Sequence, residues 1–379
     1  MTMHLAFCLN YYFPYGGLQR DFLRIATVCQ SRGHAITVYT MHWEGERPDG
    51  WTINIVKPHG LTNHARARDF ARQVMARLAE TRCDLVVGFS KMPGLDVYYA
   101  ADSCYREKVL SNRSLLSRLG GRFRVYSAME QAVFDPAAST EILLIAEAEK
   151  SKFIRHYGTP EERFHLLPPG IERDRLAPPD APAIRRALRH DYGLDDGDFM
   201  LLLIGSRFRT KGVDRAVKAL AALPQRLRER TGLYIVGQDR PGRYLNLARR
   251  LGVKRNVHFL GGRDDIPRLL LTADLLVHPA YIENTGTVLI EAIAAGLPAL
   301  ASQVCGYAGY IEQAGAGKLI PLPFVQETMN GQLASMLDRA ELALWQSNAL
   351  NYVKSADIFS LPEKAADLIE AAGKRKIAC

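Results

Sequence analysis

Apolar residues in this chain come in short continuous runs separated by longer stretches of helical periodicity. Leu5-Ala6-Phe7-Cys8-Leu9 is the first run. Ala35 to Thr40, Ile53 to Val56, Leu85 to Phe89, Val97 to Ala100, Ile142 to Ala146 and Phe164 to Leu167 follow. Runs that do not alternate with polar residues predict strands buried on both faces, as in a parallel sheet covered by helices. Between them, Leu18 to Cys29 and about Ala65 to Glu80 carry helical spacing. Pro168-Pro169-Gly170 and Ala177 to Pro182 then interrupt the pattern with five prolines, which predicts a hinge. A second series starts beyond it, with strands predicted at Met200 to Ile204, Leu233 to Val236, Val257 to Leu260, Leu275 to Val277, Ala299 to Ser302 and Lys318 to Ile320. Two alternating series in one chain predict two doubly wound, Rossmann-like α/β domains, 1–168 and 169–359, with a last amphipathic helix in 360–379.

The most informative stretch runs from His278 to Pro298, HPAYIENTGTVLIEAIAAGLP. Pro279 ends the strand because it has no N–H for the ladder. A polar loop follows, then Val288, Leu289, Ala292, Ile293 and Ala295 at helical spacing, with Gly296 placed as a helix-ending glycine and Pro298 blocking continuation. Glu283 lies in the loop and Glu291 about two turns into the helix. A helix start at Gly286 offers backbone N–H groups to an anion, and flanking carboxylates accept hydrogen bonds from sugar hydroxyls. A phosphate with a sugar on each side describes a sugar nucleotide. The bland alternative makes Glu283 a loop charge and Glu291 a solvated helix residue.

Three further loops follow strands. Phe13 to Asp21 holds the pair Gly16-Gly17, which lets backbone approach a ligand, but it is not the G-x-G-x-x-G dinucleotide fingerprint. Gly205 to Asp214 holds Arg207, Arg209 and Lys211; a lysine reaches a diphosphate as a point charge and an arginine as a fork. Asp102 follows the Val97–Ala100 run and equally suits the N-cap of the helix that begins nearby.

Composition narrows the partners. The 379 residues carry a formal net charge of +9, so acidic partners are expected: a nucleic acid, an anionic membrane face or an anionic glycan. Six cations, Arg106, Lys108, Arg113, Arg118, Arg122 and Arg124, stand against Glu107 alone between Tyr105 and Tyr126, interleaved with Val109, Leu110, Leu115, Leu116, Leu119 and Phe123. This reads as a basic amphipathic segment for an anionic leaflet, and the aliphatic rather than aromatic interleaving disfavours nucleic acid. A core-facing helix with a solvated basic side is the alternative. The six cysteines show no C-x-x-C pair and read as reduced thiols of a cytoplasmic protein. No apolar stretch reaches the ~20 residues of a membrane span. Asp195-Asp196-Gly197-Asp198 reads as a turn rather than a metal site, and no metal is expected.

The positions Glu283, Gly286, Glu291, Ala292, Gly296 and Pro298 together resemble the E-x7-E signature of the retaining nucleotide-sugar glycosyltransferases of family 4. The resemblance extends from the first strand to the last helix, and within the family it is nearest the branch that builds the lipopolysaccharide core. It implies the GT-B architecture, two Rossmann-like domains facing across a cleft with the last helix returning to the first. It implies a UDP-sugar donor, glucose by family default, an inner-core heptose acceptor, no cofactor and a peripheral place on the inner membrane. Site roles are carried over residue by residue. Gly17 and Asp21 are donor contacts. Arg175 contacts the donor, with Arg173 its local rival. Arg207 and Arg209 compete for the second cation beside Lys211. Arg263 frames the base. Asn284, Thr285 and Thr287 line the donor sugar with Glu283, and Glu291 holds the ribose. Asp102 stands near where many members have a histidine beside the donor sugar, and the resemblance gives it a catalytic role, orienting that sugar or the acceptor hydroxyl, alongside Glu283 and Lys211. Galactose or an N-acetylhexosamine as donor sugar, a UDP-sugar epimerase on the same fold and a non-enzymatic membrane binder are the alternatives.

Overall fold

A computed structural model of the chain describes residues 2–14, 16–112 and 120–378. The chain divides into two compact units, Met1–Gly170 with Ser360–Cys379, and Ile171–Phe359.

The strands of the first unit are β1 (His4–Cys8), β2 (Tyr11–Tyr12), β3 (Ala35–Thr40), β4 (His42–Trp43), β5 (Thr52–Ile55), β6 (Leu85–Gly88), β7 (Val97–Ala100), β8 (Glu141–Leu144) and β9 (Phe164–Leu166). Seven of them form one parallel sheet in the order β5-β3-β1-β6-β7-β8-β9, and β2 pairs with β4 in a short separate ladder. Each central strand feeds two cores. Leu5, Phe7 and Leu9 point to one face with Phe22 and Ile25; Ala6 and Cys8 point to the other with Phe70 and Val74. That two-sided burial is why the strands read as unbroken apolar runs. The helix Leu361–Ala378 places Leu361, Ala365, Ala366, Ile369 and Ala372 in the first of these cores. Arg32, just past the helix Gly17–Ser31, pairs with its Asp367 at 2.9 Å and Glu370 at 3.3 Å.

The second unit contains β10 (Phe199–Ile204), β11 (Thr231–Val236), β12 (Val257–Gly261), β13 (Leu275–His278), β14 (Ala299–Ser302) and β15 (Gly317–Ile320). They form one parallel sheet in the order β12-β11-β10-β13-β14-β15, again with a core on each face. The chain winds outward from β10 to one edge, then returns to β13 and winds to the other. The connections after β10 and β13 therefore leave in opposite directions. They open a crevice at the carboxyl ends of these two strands, where doubly wound sheets hold ligands.

The basic segment is described in two parts, the helices Tyr105–Asn112 and Gly121–Phe134. Arg113, Arg118, Leu115, Leu116 and Leu119 lie outside the described residues. Among the described residues no helix is long and apolar enough to cross a membrane.

Candidate active site

The β10 connection begins at Gly205 and turns through Arg207, whose φ of 59° is the one positive value at a non-glycine among the described residues. A four-residue helix, Phe208–Lys211, follows. Buried Phe208 anchors it, and the Phe208 N–H donates to Asp239 Oδ2 at 2.8 Å. The Lys211 chain folds back over Gly205, where an added Cβ would sit 2.7 Å from Lys211 Cε. Gly212, at φ +75°, lies so close to the β13 connection that a Cβ there would collide with the Pro279 carbonyl oxygen.

That second connection is clamped from below. Arg215, buried on the helix Val213–Ala221, donates to the Pro279 and Ala280 carbonyls at 3.2 and 3.1 Å. Its guanidinium is sandwiched 3.5 Å from the ring centroids of both Tyr281 and Phe324. The Tyr281 N–H donates to the Thr210 carbonyl at 2.8 Å, and its hydroxyl to Asp214 at the same distance. The two connections are thus one fixed unit.

Glu283 sits at the junction. Its Oε2 forms an ion pair with Lys211 Nζ and lies 3.3 Å from Nε2 of His278, the fully buried last residue of β13. Burial pushes the Glu283 carboxyl up. The His278 hydrogen bond and the Lys211 charge outweigh that and hold it down at about 2. Burial keeps the His278 imidazole below its ordinary value, so it is neutral near pH 7. A carboxylate only accepts, so the imidazole proton sits on Nε2. Nδ1 is then a buried acceptor with no partner among the described residues.

Asn284 and Thr285 offer their carbonyls to the Gly306 and Tyr307 N–H groups at 3.0 and 2.8 Å. Gly286, at φ +79°, starts the helix Thr287–Ala294. Gly296 ends it at φ +72° as expected: the Leu297 N–H reaches the Ala292 carbonyl at 2.8 Å and the Gly296 N–H that of Ile293 at 3.0 Å. Glu291 falls just over one turn in, closer to the start than the spacing suggested. It is not solvated: it is 9% exposed and pairs with Arg175 Nε at 3.4 Å. Arg173, the rival of Arg175, stacks 4.7 Å from the Phe359 ring instead.

Other expected residues have surroundings of their own. Arg209 and Lys211 are two positions apart on one short helix, so their side chains diverge. Arg209 lines a pocket with Asp239, Arg240 and Tyr244, and Arg207 is exposed. Arg263 follows β12 at the same end of the sheet, where Asp265 clamps it through two hydrogen bonds of 2.8 and 2.6 Å. In the first unit, Gly17 opens its helix with no atom of the described residues within 4 Å of an added Cβ, whereas Gly16 is crowded by Phe13 and Gln19. Asp21 accepts from the Tyr99 hydroxyl at 2.7 Å, and burial pushes its carboxyl up to about 6.

Asp102 is exposed, and the N-cap alternative for it fails. The leading amides of the Tyr105–Asn112 helix go elsewhere: Tyr105 and Arg106 N–H donate to buried Glu130 at 2.8 and 3.0 Å, and Cys104 N–H to Glu149 at 2.8 Å. Lys91 and the Tyr157 hydroxyl also bind Glu130. Beyond that cap, Lys108, Arg122 and Arg124 are exposed, while Arg106 leans over the Tyr157 ring at 5.7 Å. Asp195 and Asp198 close a turn, with the Asp195 N–H donating to Asp198 Oδ2 at 2.9 Å.

Sequence reasoning missed His278, Arg215 and Asp239 as parts of the site. His278 left one signal, a titratable side chain ending an otherwise apolar strand immediately before a proline.

Two Rossmann-like units in one chain, with a carboxylate–lysine pair at the switch point of the second, define a GT-B glycosyltransferase. Residues 15–175 match the model of Glycosyltransferase Family 4, and 184–350 that of Glycosyl transferases group 1. The lipopolysaccharide glucosyltransferase WaaG of Escherichia coli K12 is 48% identical over 368 residues, covering 97% of this chain and 98% of that protein. A crystal structure of WaaG superimposes with a TM-score of 0.89 at 48% identity, over 96% of this chain and 99% of that one. Anabaena HepE in complex with UDP-glucose shares the fold, with a TM-score of 0.73 at 20% identity over 97% and 100% of the two chains. The chain belongs to glycosyltransferase family 4.

Proposed function

We propose that this enzyme transfers glucose from UDP-glucose to an inner-core heptose of lipopolysaccharide, with retention at the anomeric carbon. The observation that carries the proposal is the ionised Glu283, held by Lys211 and neutral His278 at the switch point of the second unit. The near full-length likeness to a lipopolysaccharide glucosyltransferase supplies the donor and acceptor classes.

In the absence of donor, Glu283 neutralises Lys211. When a sugar diphosphate arrives, its negative charge competes for the lysine, and Glu283 keeps His278 while it turns to donor-sugar hydroxyls. The diphosphate gains charge as the glycosidic bond breaks. Lys211, Arg207 and the amides after Gly286 stabilise that charge more in the transition state than in the ground state, which lowers the barrier. Glu291 and Arg175 hold the ribose side of the donor. Asn284, Thr285 and Thr287 line the sugar, and Arg263 frames the base. The family resemblance also gives donor roles to Gly17, Asp21 and Asp102. Retention follows a front-face route in which the leaving phosphate oxygen takes the acceptor proton. The charge is handled by these side chains and amides, so no metal is required. The basic segment around Arg106, Lys108, Arg122 and Arg124, with Arg113 and Arg118, draws the cytoplasmic enzyme to the anionic leaflet that carries its acceptor.

The test is a panel of UDP-glucose, UDP-galactose and UDP-N-acetylhexosamines with heptose-terminated core lipopolysaccharide, in EDTA. Transfer of glucose in α linkage is the expected result. A new UDP-sugar formed without acceptor identifies an epimerase and rejects the proposal, as does transfer restricted to another sugar.

A further inference from the structure

The second unit treats its arginines in two ways. Arg185, Arg189 and Arg339 converge on buried Asp274, at 2.6, 3.0 and 2.7 Å. Arg230 pairs with Asp198, and Arg263 with Asp265. These guanidinium groups are neutralised where they stand. Arg209, Arg240 and Arg243 are not. They line one pocket of about 430 Å³ with Asp239, Gly242 and Tyr244. Among the described residues no carboxylate forms an ion pair with any of the three. Asp239 is the pocket's acid, but it is committed to the backbone: Oδ2 accepts from the Phe208 N–H at 2.8 Å and Oδ1 from the Arg240 N–H at 2.7 Å. Three cations against one acid leave two positive charges uncompensated at one spot.

The chemistry of that spot is specific. A guanidinium presents a planar fork of donors that matches a pair of oxyanion oxygens, and three forks suit a tetrahedral phosphoryl group better than a two-oxygen carboxylate. The Tyr244 ring is buried, and the Arg243 guanidinium lies 5.1 Å from its centroid, which limits how far that arginine swings away. Arg209 reaches the pocket because it points away from Lys211 on their shared helix. The pocket is therefore built from the connections after β10 and β11, whereas the carboxylate–lysine pair spans those after β10 and β13.

We propose that Arg209, Arg240 and Arg243 form a second oxyanion site, separate from the donor diphosphate site, that takes a phosphoryl group. The group is either free, as phosphate or pyrophosphate, or carried on a lipid headgroup at the membrane face. The separation rests on the reading of Lys211 and Glu283 as the donor site.

The test compares wild type with the R240Q/R243Q double variant, neither residue being part of the donor machinery, after equal thermal midpoints establish that both fold. Pyrophosphate is titrated calorimetrically in saturating UDP, and sedimentation is measured with phosphatidylcholine vesicles with and without phosphatidic acid. Pyrophosphate binding alongside UDP, weakened by about tenfold or more in the double variant with UDP affinity unchanged, supports the site. Sedimentation that depends on phosphatidic acid in wild type and is lost in the variant supports it with a lipid as the source; weakened pyrophosphate binding alone supports it with a soluble one. Identical behaviour of the two proteins in both arms overturns the proposal. So does mutual exclusion of pyrophosphate and UDP, or loss of UDP affinity in the variant, because the pocket then belongs to the nucleotide. Failure of UDP to bind wild type rejects the donor reading instead and is distinguishable from these outcomes.

Discussion

Glu283 is held by Lys211, for which the donor diphosphate competes in the proposed mechanism, and by His278. Its folded-state carboxyl, at about 2, lies below the ordinary glutamate value. The stabilisation it brings is therefore present above about pH 4.3 and is lost as pH falls through the folded value. The thermal midpoint of wild type should drop more steeply between about pH 4.5 and 3 than that of Glu283→Gln; parallel curves would show that the pairing contributes nothing to folding. His278 acts through Glu283 as a neutral donor. His278→Ala should lower kcat/KM by about tenfold, the effect of losing one hydrogen bond to a charged group, and His278→Gln should restore part of it. Equal rates for the two variants would remove the positioning role. Glu283, Gly286 and Glu291 could be singled out from spacing alone, and the structure adds that Glu283 pairs with Lys211 and Glu291 with Arg175. His278 could not, because a histidine on an apolar strand more often fills a core. Its meaning depends on a rotamer of Glu283 that no spacing encodes.

At the scale of the element, the site depends on two connections touching backbone to backbone. Gly212 permits this, at a left-handed φ and against the Pro279 carbonyl. Gly212→Ala faces both a disfavoured φ and a collision. It should destabilise the protein by roughly 2 kcal/mol or more, read as a fall in thermal midpoint. An unchanged midpoint would mean the connections can part freely. Strand positions were readable to within a few residues, since buried parallel strands advertise themselves as apolar runs. The start of the Tyr105–Asn112 helix was not. Asp102 had the right residue type in the right place for a cap, but the amides are satisfied by Glu130 and Glu149, which come from far along the chain. Local propensity loses to buried Glu130, which gathers these amides together with Lys91 and the Tyr157 hydroxyl around its charge.

Across the whole molecule, one winding pattern occurs twice, and the chain returns to its first unit to complete it. The order of elements announced the two units; the strand order within each sheet is not written in any residue. The helix Leu361–Ala378 contributes Leu361 and Ile369, both buried, to the core of the first unit. Truncation after Phe359 should cost that unit at least ~3 kcal/mol from these two side chains alone, seen as an earlier or separate melting transition by circular dichroism. A truncated chain that melts like the full one would show that the helix only rests on the surface.

The proposed mechanism requires the crevice between β10 and β13 to receive the sugar nucleotide. Hydrogen exchange with and without UDP, followed by mass spectrometry, maps this directly. UDP should slow exchange in the segments 205–212 and 281–290. Protection confined to other segments, with these two unchanged at saturating UDP, would contradict the mechanism.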